Sequence, residues 1–170
     1  MKTAVRFSFF ILFFFSAVFS FASSVSVFMY QKDAGVDLLR GTTIAVENEV
    51  LETLFDSGYI VSSVAAAKTD ADINQALAEA LKNSAEGFFD IMVQITVRYN
   101  DIIPENPAKI VFSDIQSIDW RIFRVKNKTC IAEKKQDIGQ KYEGETDSKA
   151  LKRVAKEVGY AIEKILQGVR

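Results

Sequence analysis

The sequence predicts an α/β (α+β) domain: a single mixed β-sheet of about five strands with about three helices, in the order β-α-β-α-β-β-β-α. Three observations carry this. Apolar spacing switches repeatedly between the two-residue period of a strand and the three-to-four-residue period of a helix. One stretch, Phe89 to Tyr99, alternates so strictly that it can only be a strand with two different faces. The final stretch places Leu151, Val154, Ala155, Val158, Ile162, Ile165, Leu166 and Val169 on one helical stripe, opposite Lys149, Lys152, Lys156, Glu163 and Lys164.

Val25 to Tyr30 reads as the first strand, and Lys32-Asp33-Ala34-Gly35 breaks it. A helix follows between Val36 and Ser57, with Thr42 or Thr43 as candidate caps. Ile44, Val46, Val50, Leu51, Leu54 and Phe55 form its apolar stripe. Gly58 is placed to stop it in the left-handed conformation that glycine adopts without steric penalty. Tyr59 to Ala66 is a second, β-branched strand. Thr69 or Asp70 caps the next helix, Asp72 adds negative charge to its first turn, and Gly87 ends it. In the strand from Phe89, the residues Phe89, Ile91, Val93, Ile95, Val97 and Tyr99 point one way. Asp90, Gln94, Thr96 and Arg98 point the other, with Met92 the lone apolar residue among them, which predicts one dry and one wetter sheet face.

Pro104 and Pro107 mark residues 100–108 as an exposed loop. Strand character returns at Lys109, through Ile110 and Phe112 and then Ile118, Trp120 and Ile122. The phase shifts at Phe123 and Val125, as a bulge near Ile122 would cause. Asn127-Lys128 suits a hairpin turn, and the same residues with Thr129 match the glycosylation sequon, for which the turn is sufficient explanation. Thr129 to Ala132 is the returning strand, and residues 133–145 fray into loop. Cys130, the one cysteine, is expected to be a small buried hydrophobe.

The chain opens on a targeting segment. Lys2 and Arg6 precede an uncharged run from Phe7 to Phe21, and Ser20-Phe21-Ala22 has the small-x-small form of a cleavage site. We read residues 1–22 as a signal peptide and 23–170 as a single α/β domain. The alternative is an uncleaved anchor, since residues 7–30 carry no charge. The alternation of Ser24 and Ser26 with Val25 and Val27 argues that strand begins there instead. No cysteine near the cleavage site could accept lipid. Most of the 14 phenylalanines belong to the leader, and Lys2 and Arg6 would leave with it, so the mature surface is mildly acidic with no basic stripe for nucleic acid.

Catalytic constellations are scarce. The chain has no histidine, which removes the commonest general base and zinc ligand and every Ser-His or Cys-His pair. No Gly-x-Gly loop and no Ser-x-x-Lys nucleophile is present. Asp101, Glu105, Asp114 and Asp119 are the acids that a carboxylate-based hydrolase would need, and chance clustering on a solvated edge explains them as well. Asp70 and Asp72 suit helix capping better than a cation. No catalytic residue, metal ligand or cofactor is expected. Trp120, flanked by Arg121 and Arg124, is the candidate interaction surface, with burial of the indole against a helix as the competing expectation.

Three segments resemble a group of bacterial envelope domains. Leu51-Glu52-Thr53-Leu54-Phe55-Asp56-Ser57-Gly58-Tyr59-Ile60-Val61 is similar to their helix-to-strand passage. Phe89-Asp90-Ile91-Met92-Val93-Gln94-Ile95-Thr96-Val97 is similar to their central strand, and Ile118 to Ala132 to the hairpin after it. The group comprises the amino-terminal domain of TolB, the curli-secretion lipoprotein CsgG and the outer-membrane activators of penicillin-binding proteins (LpoB). The resemblance implies a stand-alone module that binds other envelope proteins, with no active site to transfer.

The expected function is therefore a non-enzymatic, exported (periplasmic) protein-interaction module in envelope assembly or secretion. Its partners would be envelope proteins, with a possible homo-oligomer through a sheet edge, no nucleic acid, and a membrane only through an uncleaved signal. Two alternatives stand: a binder of a small or lipidic ligand in a groove between the sheet and the C-terminal helix, and, remotely, the carboxylate hydrolase.

Overall fold

A computed structural model describes residues 23–33, 36, 38–68 and 72–169. The expected leader and the candidate caps Thr69 and Asp70 lie outside these residues. The chain runs β1 (Ser24–Lys32), α1 (Gly41–Asp56), β2 (Ile60–Lys68), α2 (Ile73–Glu86), β3 (Ile91–Tyr99), β4 (Ile115–Arg124), β5 (Thr129–Asp137) and α3 (Asp147–Gln167). This is the element order read from the sequence, in one mixed sheet.

The strands lie in the order β2-β1-β3-β4-β5. β1 pairs in parallel with β2 and β3, and β3-β4 and β4-β5 are antiparallel. The chain leaves β1 toward β2 on one side and crosses back over it to β3 on the other. Two right-handed crossovers in opposite directions put their helices on opposite faces. Accordingly α1 shares one core with α3, and α2 covers the other face.

The larger core brings Val25, Val27 and Met29 together with Val93, Ile95, Val97, Ile118, Trp120 and Ile122 beneath Val46, Val50, Leu54, Leu151, Val154, Val158 and Ile162, all at most 2% exposed. Each such side chain contributes roughly 1.5–3 kcal/mol of transfer free energy. The two helices approach closely at Gly159, where an added Cβ would lie 2.8 Å from the Cβ of Thr53. Lys152 bridges them outside the core, 3.0 Å from Glu49. The smaller core joins Phe28, Tyr30, Met92, Phe123 and Val125 to Ala80 and Leu81. There Ser26 and Ser84 share a hydrogen bond of 2.7 Å, so that neither buried hydroxyl is orphaned.

Several local expectations change. Arg40, without a side-chain cap, precedes α1, while Thr42 and Thr43 are buried inside its first turn because their hydroxyls bond to other elements. Ile44 and Phe55 face solvent. Gly58 does take the left-handed position, at φ +84. Asp72 itself caps α2, accepting from the Asn74 and Gln75 amides. The face of β3 expected to be wetter is covered too, for Met92, Gln94 and Thr96 are buried. Residues 109–111 are not strand; Phe112–Asp114 forms a 3-10 turn and β4 starts after it. The expected bulge lies between Ile122 and Phe123, opposite Ile131. It leaves Cys130 exposed on the edge strand rather than buried. β5 continues to Asp137, beyond where fraying was expected.

Candidate functional site

Because the helices return antiparallel to β1, β2 and β3, the molecule has two distinct ends. At the loop end the three parallel strands finish and the helices begin. At the capped end the helices finish and those strands begin.

The loop end is organised by a buried arginine. Arg40 is 2% exposed, and its guanidinium donates to both carboxylate oxygens of Asp33 (2.6 and 2.8 Å), to Asp114 (2.9 Å) and to the carbonyl of Ile102 (2.9 Å). It also stacks 4.2 Å from the centre of the Tyr99 ring. Burial by itself would lower the arginine pKa, but the hydrogen bond and charge of Asp33 outweigh it and the pKa is raised. Burial holds the Tyr99 phenol above its usual range, against the opposing pull of Thr43 and Arg40. Gln31 completes the network: it accepts from the Arg40 amide (2.8 Å) and the Thr43 hydroxyl (2.8 Å) and donates to the Leu38 carbonyl (3.0 Å).

This network holds backbone at two points. The backbone of Leu38 is held by Gln31 and that of Ile102 by Arg40, yet the side chains of Leu38, Ile102 and Ile103 are 68%, 58% and 71% exposed. The proline loop is fixed a second time by Gly41, whose amide donates to the Pro107 carbonyl at 2.8 Å. A Cβ at Gly41 would come within 2.1 Å of the Ala108 oxygen, so only glycine allows this approach.

At the capped end α1 and α2 finish with the same hydrogen-bond pattern. The Gly58 and Tyr59 amides donate back to Phe55 and Leu54, and the Phe88 and Phe89 amides to Ala85 and Ser84. The left-handed residue is Gly58 in the first case and Phe88 in the second, at φ +59. The left-handed stop expected at Gly87 lies one residue later, and Gly87, at φ −80, instead gives room to the Phe89 ring, which an added Cβ would approach to 2.7 Å. Phe88 is 90% exposed. Beside it opens a cleft of about 470 Å³ lined by Tyr59, Phe89, Ile91, Leu166 and Val169, with Arg124 and Lys126 at its margin. The Asp90 carboxylate in the same cleft is engaged by the amide and hydroxyl of Ser24.

A second concavity, about 530 Å³, runs across β3, β4 and β5 on the face bearing Gln94, Thr96, Arg98, Asp119, Arg121 and Glu133. Its polar groups largely satisfy one another: Arg98 pairs with Asp119, and Arg121 donates to Gln94 at 3.1 Å.

The sequence-derived candidates do not converge. Trp120 is 2% exposed in the larger core, because the sheet alternation turns it toward the helices, so it offers no surface to a partner. Arg121 is half-buried in the sheet-face groove, and Arg124 is exposed at the capped end. Of the four acids, Asp114 is paired with Arg40 and Asp119 with Arg98, while Asp101 and Glu105 are exposed on the proline loop. Among the described residues no group of three or more carboxylates or thiols could hold a metal, and no helix is long and apolar enough to cross a membrane. Sequence reasoning missed Arg40 and Phe88. The signal for Phe88 was present in Gly87-Phe88-Phe89, since a strand face can accept only one of two adjacent aromatics.

Residues 24–167 match the model of a family described as "uncharacterised protein", and the chain belongs to that family. A search of curated proteins gives no match. Among solved structures the chain is similar to the PelC dodecamer from Paraburkholderia phytofirmans, at 12% identity over 81% of this chain and 85% of that one, with a TM-score of 0.48. It is similar to TolB from Acinetobacter baumannii, at 13% identity over 86% of this chain and 29% of that one, TM-score 0.47. A lipoprotein from Neisseria meningitidis matches at 14% identity over 84% and 99%, TM-score 0.46.

Proposed function

We propose that this member of the family is an exported, non-enzymatic module that docks other proteins of the bacterial envelope during assembly or secretion. The leader-like residues 1–22 support the address. The observation that carries the docking is the loop end, where three large aliphatic side chains stand in solvent on backbone held by a buried ion network. Exposed apolar side chains gain only when a partner covers them. Backbone already held at Leu38 and Ile102 loses little entropy on binding, so the covered area is converted efficiently into affinity.

In this reading Leu38, Ile102 and Ile103 enter an apolar recess of the partner and the Arg40 network keeps their spacing. Among the described residues the outer edges of β2 and β5 pair with no further strand, and extension of the sheet there by a second copy is the finer form of the same proposal. The test is a photoreactive amino acid at position 103 in the exported chain. A discrete protein adduct that disappears with Ile102→Asp is expected. An unlinked chain, or an adduct indifferent to that substitution, would refute the reading.

The cleft at the capped end favours a second reading, a small or lipidic ligand. It is mostly apolar, with Asp90, Arg124 and Lys126 also lining it, reaches Leu166 in α3 and Val169 just beyond it, and exceeds the lower bound of about 300 Å³ for ligand sites.

A further inference from the structure

We propose that the capped end is a membrane-docking surface, and that its occupant is the face of an anionic phospholipid bilayer. Four observations converge. Phe88 is 90% exposed and fixed at φ +59, where glycine would be relaxed, so the fold retains an aromatic against local backbone preference. The turn between β4 and β5 carries Arg124, Lys126 and Lys128, all exposed, and is held to the Phe88 side by the Val125 amide donating to the Asp90 carbonyl at 3.0 Å. Of the carboxylates at this end, Asp90 is engaged by Ser24 and Glu86 lies 3.8 Å from Lys82, while Asp56 is exposed at the end of α1, away from the β4–β5 turn in the strand order. Finally, the uncharged run that ends at Ala22 is joined without a linker to Ser23, which lines the cleft. If retained, that run would tether this end of the domain to a lipid surface.

The chemistry is that of interfacial binding. The Phe88 ring enters the boundary between headgroups and acyl chains, and the three cations remain in the headgroup layer against lipid phosphates. Placing the capped end on the membrane turns the loop end outward, toward a protein partner. The inference does not rest on the docking function above, since it concerns the opposite end and a different test.

The experiment is flotation of residues 23–170 with vesicles of phosphatidylglycerol and phosphatidylethanolamine, against vesicles of phosphatidylcholine. Among the described residues both cores lie between positions 25 and 166, so this fragment keeps every one of their buried side chains. Binding to the anionic vesicles alone is expected. Changing Arg124, Lys126 and Lys128 together to Gln should weaken it about 100-fold, from roughly fivefold per charge. Phe88→Gly should weaken it about tenfold while raising Tm by about 3 °C, because the glycine relieves the left-handed residue. A merely structural Phe88 would give no change in flotation, which overturns the proposal. So would failure of the parent fragment to float, or a photoreactive residue at position 88 that links to protein and never to lipid in cells.

Discussion

The loop end buries a charge, and the capped end exposes an aromatic. At the first, Arg40 is withdrawn from water and survives because two carboxylates, a carbonyl and a ring surround it. At the second, Phe88 is left in water in a backbone conformation that disfavours it. The buried charge is explained by its neighbours within the chain. The exposed aromatic has no such neighbours, and this difference separates a residue that anchors an exposed surface, as Arg40 does, from one that is itself the exposed surface.

The comparison is broken most severely at Arg40. Arg40→Met leaves Asp33 and Asp114 buried beside an apolar chain, and the unfolding free energy should fall by about 3–5 kcal/mol in urea titration. Arg124→Met at the capped end should change it by no more than about 0.5 kcal/mol. Equal losses would mean that the two ends do not differ in kind. Gly41→Ala comes next: it forces the proline loop off the start of α1 and should cost about 1–3 kcal/mol, with faster amide exchange at Gly41 itself as the pinning bond to Pro107 is lost. Phe88→Gly has the opposite sign, a stabilisation of about 1 kcal/mol by thermal melting, and destabilisation there would show that the ring is structural after all.

The smallest effect lies at the start of α3. Glu145 accepts from the Arg153 guanidinium at 3.2 and 3.1 Å and from the Tyr142 amide, and these bonds hold its carboxyl below the ordinary range. Lys141 does the same for Asp147. A folded pKa below the unfolded one stabilises at higher pH and is lost as pH falls through the folded value. Acidification below about pH 4 should therefore lower the protection of the Ala150 amide, the slowing of its exchange relative to an unstructured chain at the same pH, before the rest of α3, weakly, since both groups are solvent-screened. Glu145→Gln should remove most of that pH dependence.

Much of this architecture was legible because periodicity reports burial directly. The stripe from Leu151 to Leu166 and the alternation from Ile91 to Tyr99 could each satisfy only one kind of element, and both formed it. The caps were less legible. Thr42 and Thr43 have the chemistry of caps, yet their hydroxyls found tertiary partners in Val111, Gln31 and Tyr99. Ile44 and Phe55 belonged to a plausible stripe, but α1 is covered by only one sheet face and one helix, so the flanks of the stripe stayed wet.

The candidate surface was the least legible part. Trp120 was singled out for its residue type, and the type says nothing about which way a strand turns its side chains until the register with β3 and β5 is known. By itself the sequence determined the order of elements, most of their apolar faces and a chain without histidine, because these depend on local spacing and composition. Only the tertiary structure decided that Arg40 meets Asp114, 74 positions away, and that Phe88, the β4–β5 turn and the end of α3 form one surface. Such contacts are set by strand order and by the opposite faces of the two crossovers, and no local pattern in the chain encodes a distance between elements that far apart.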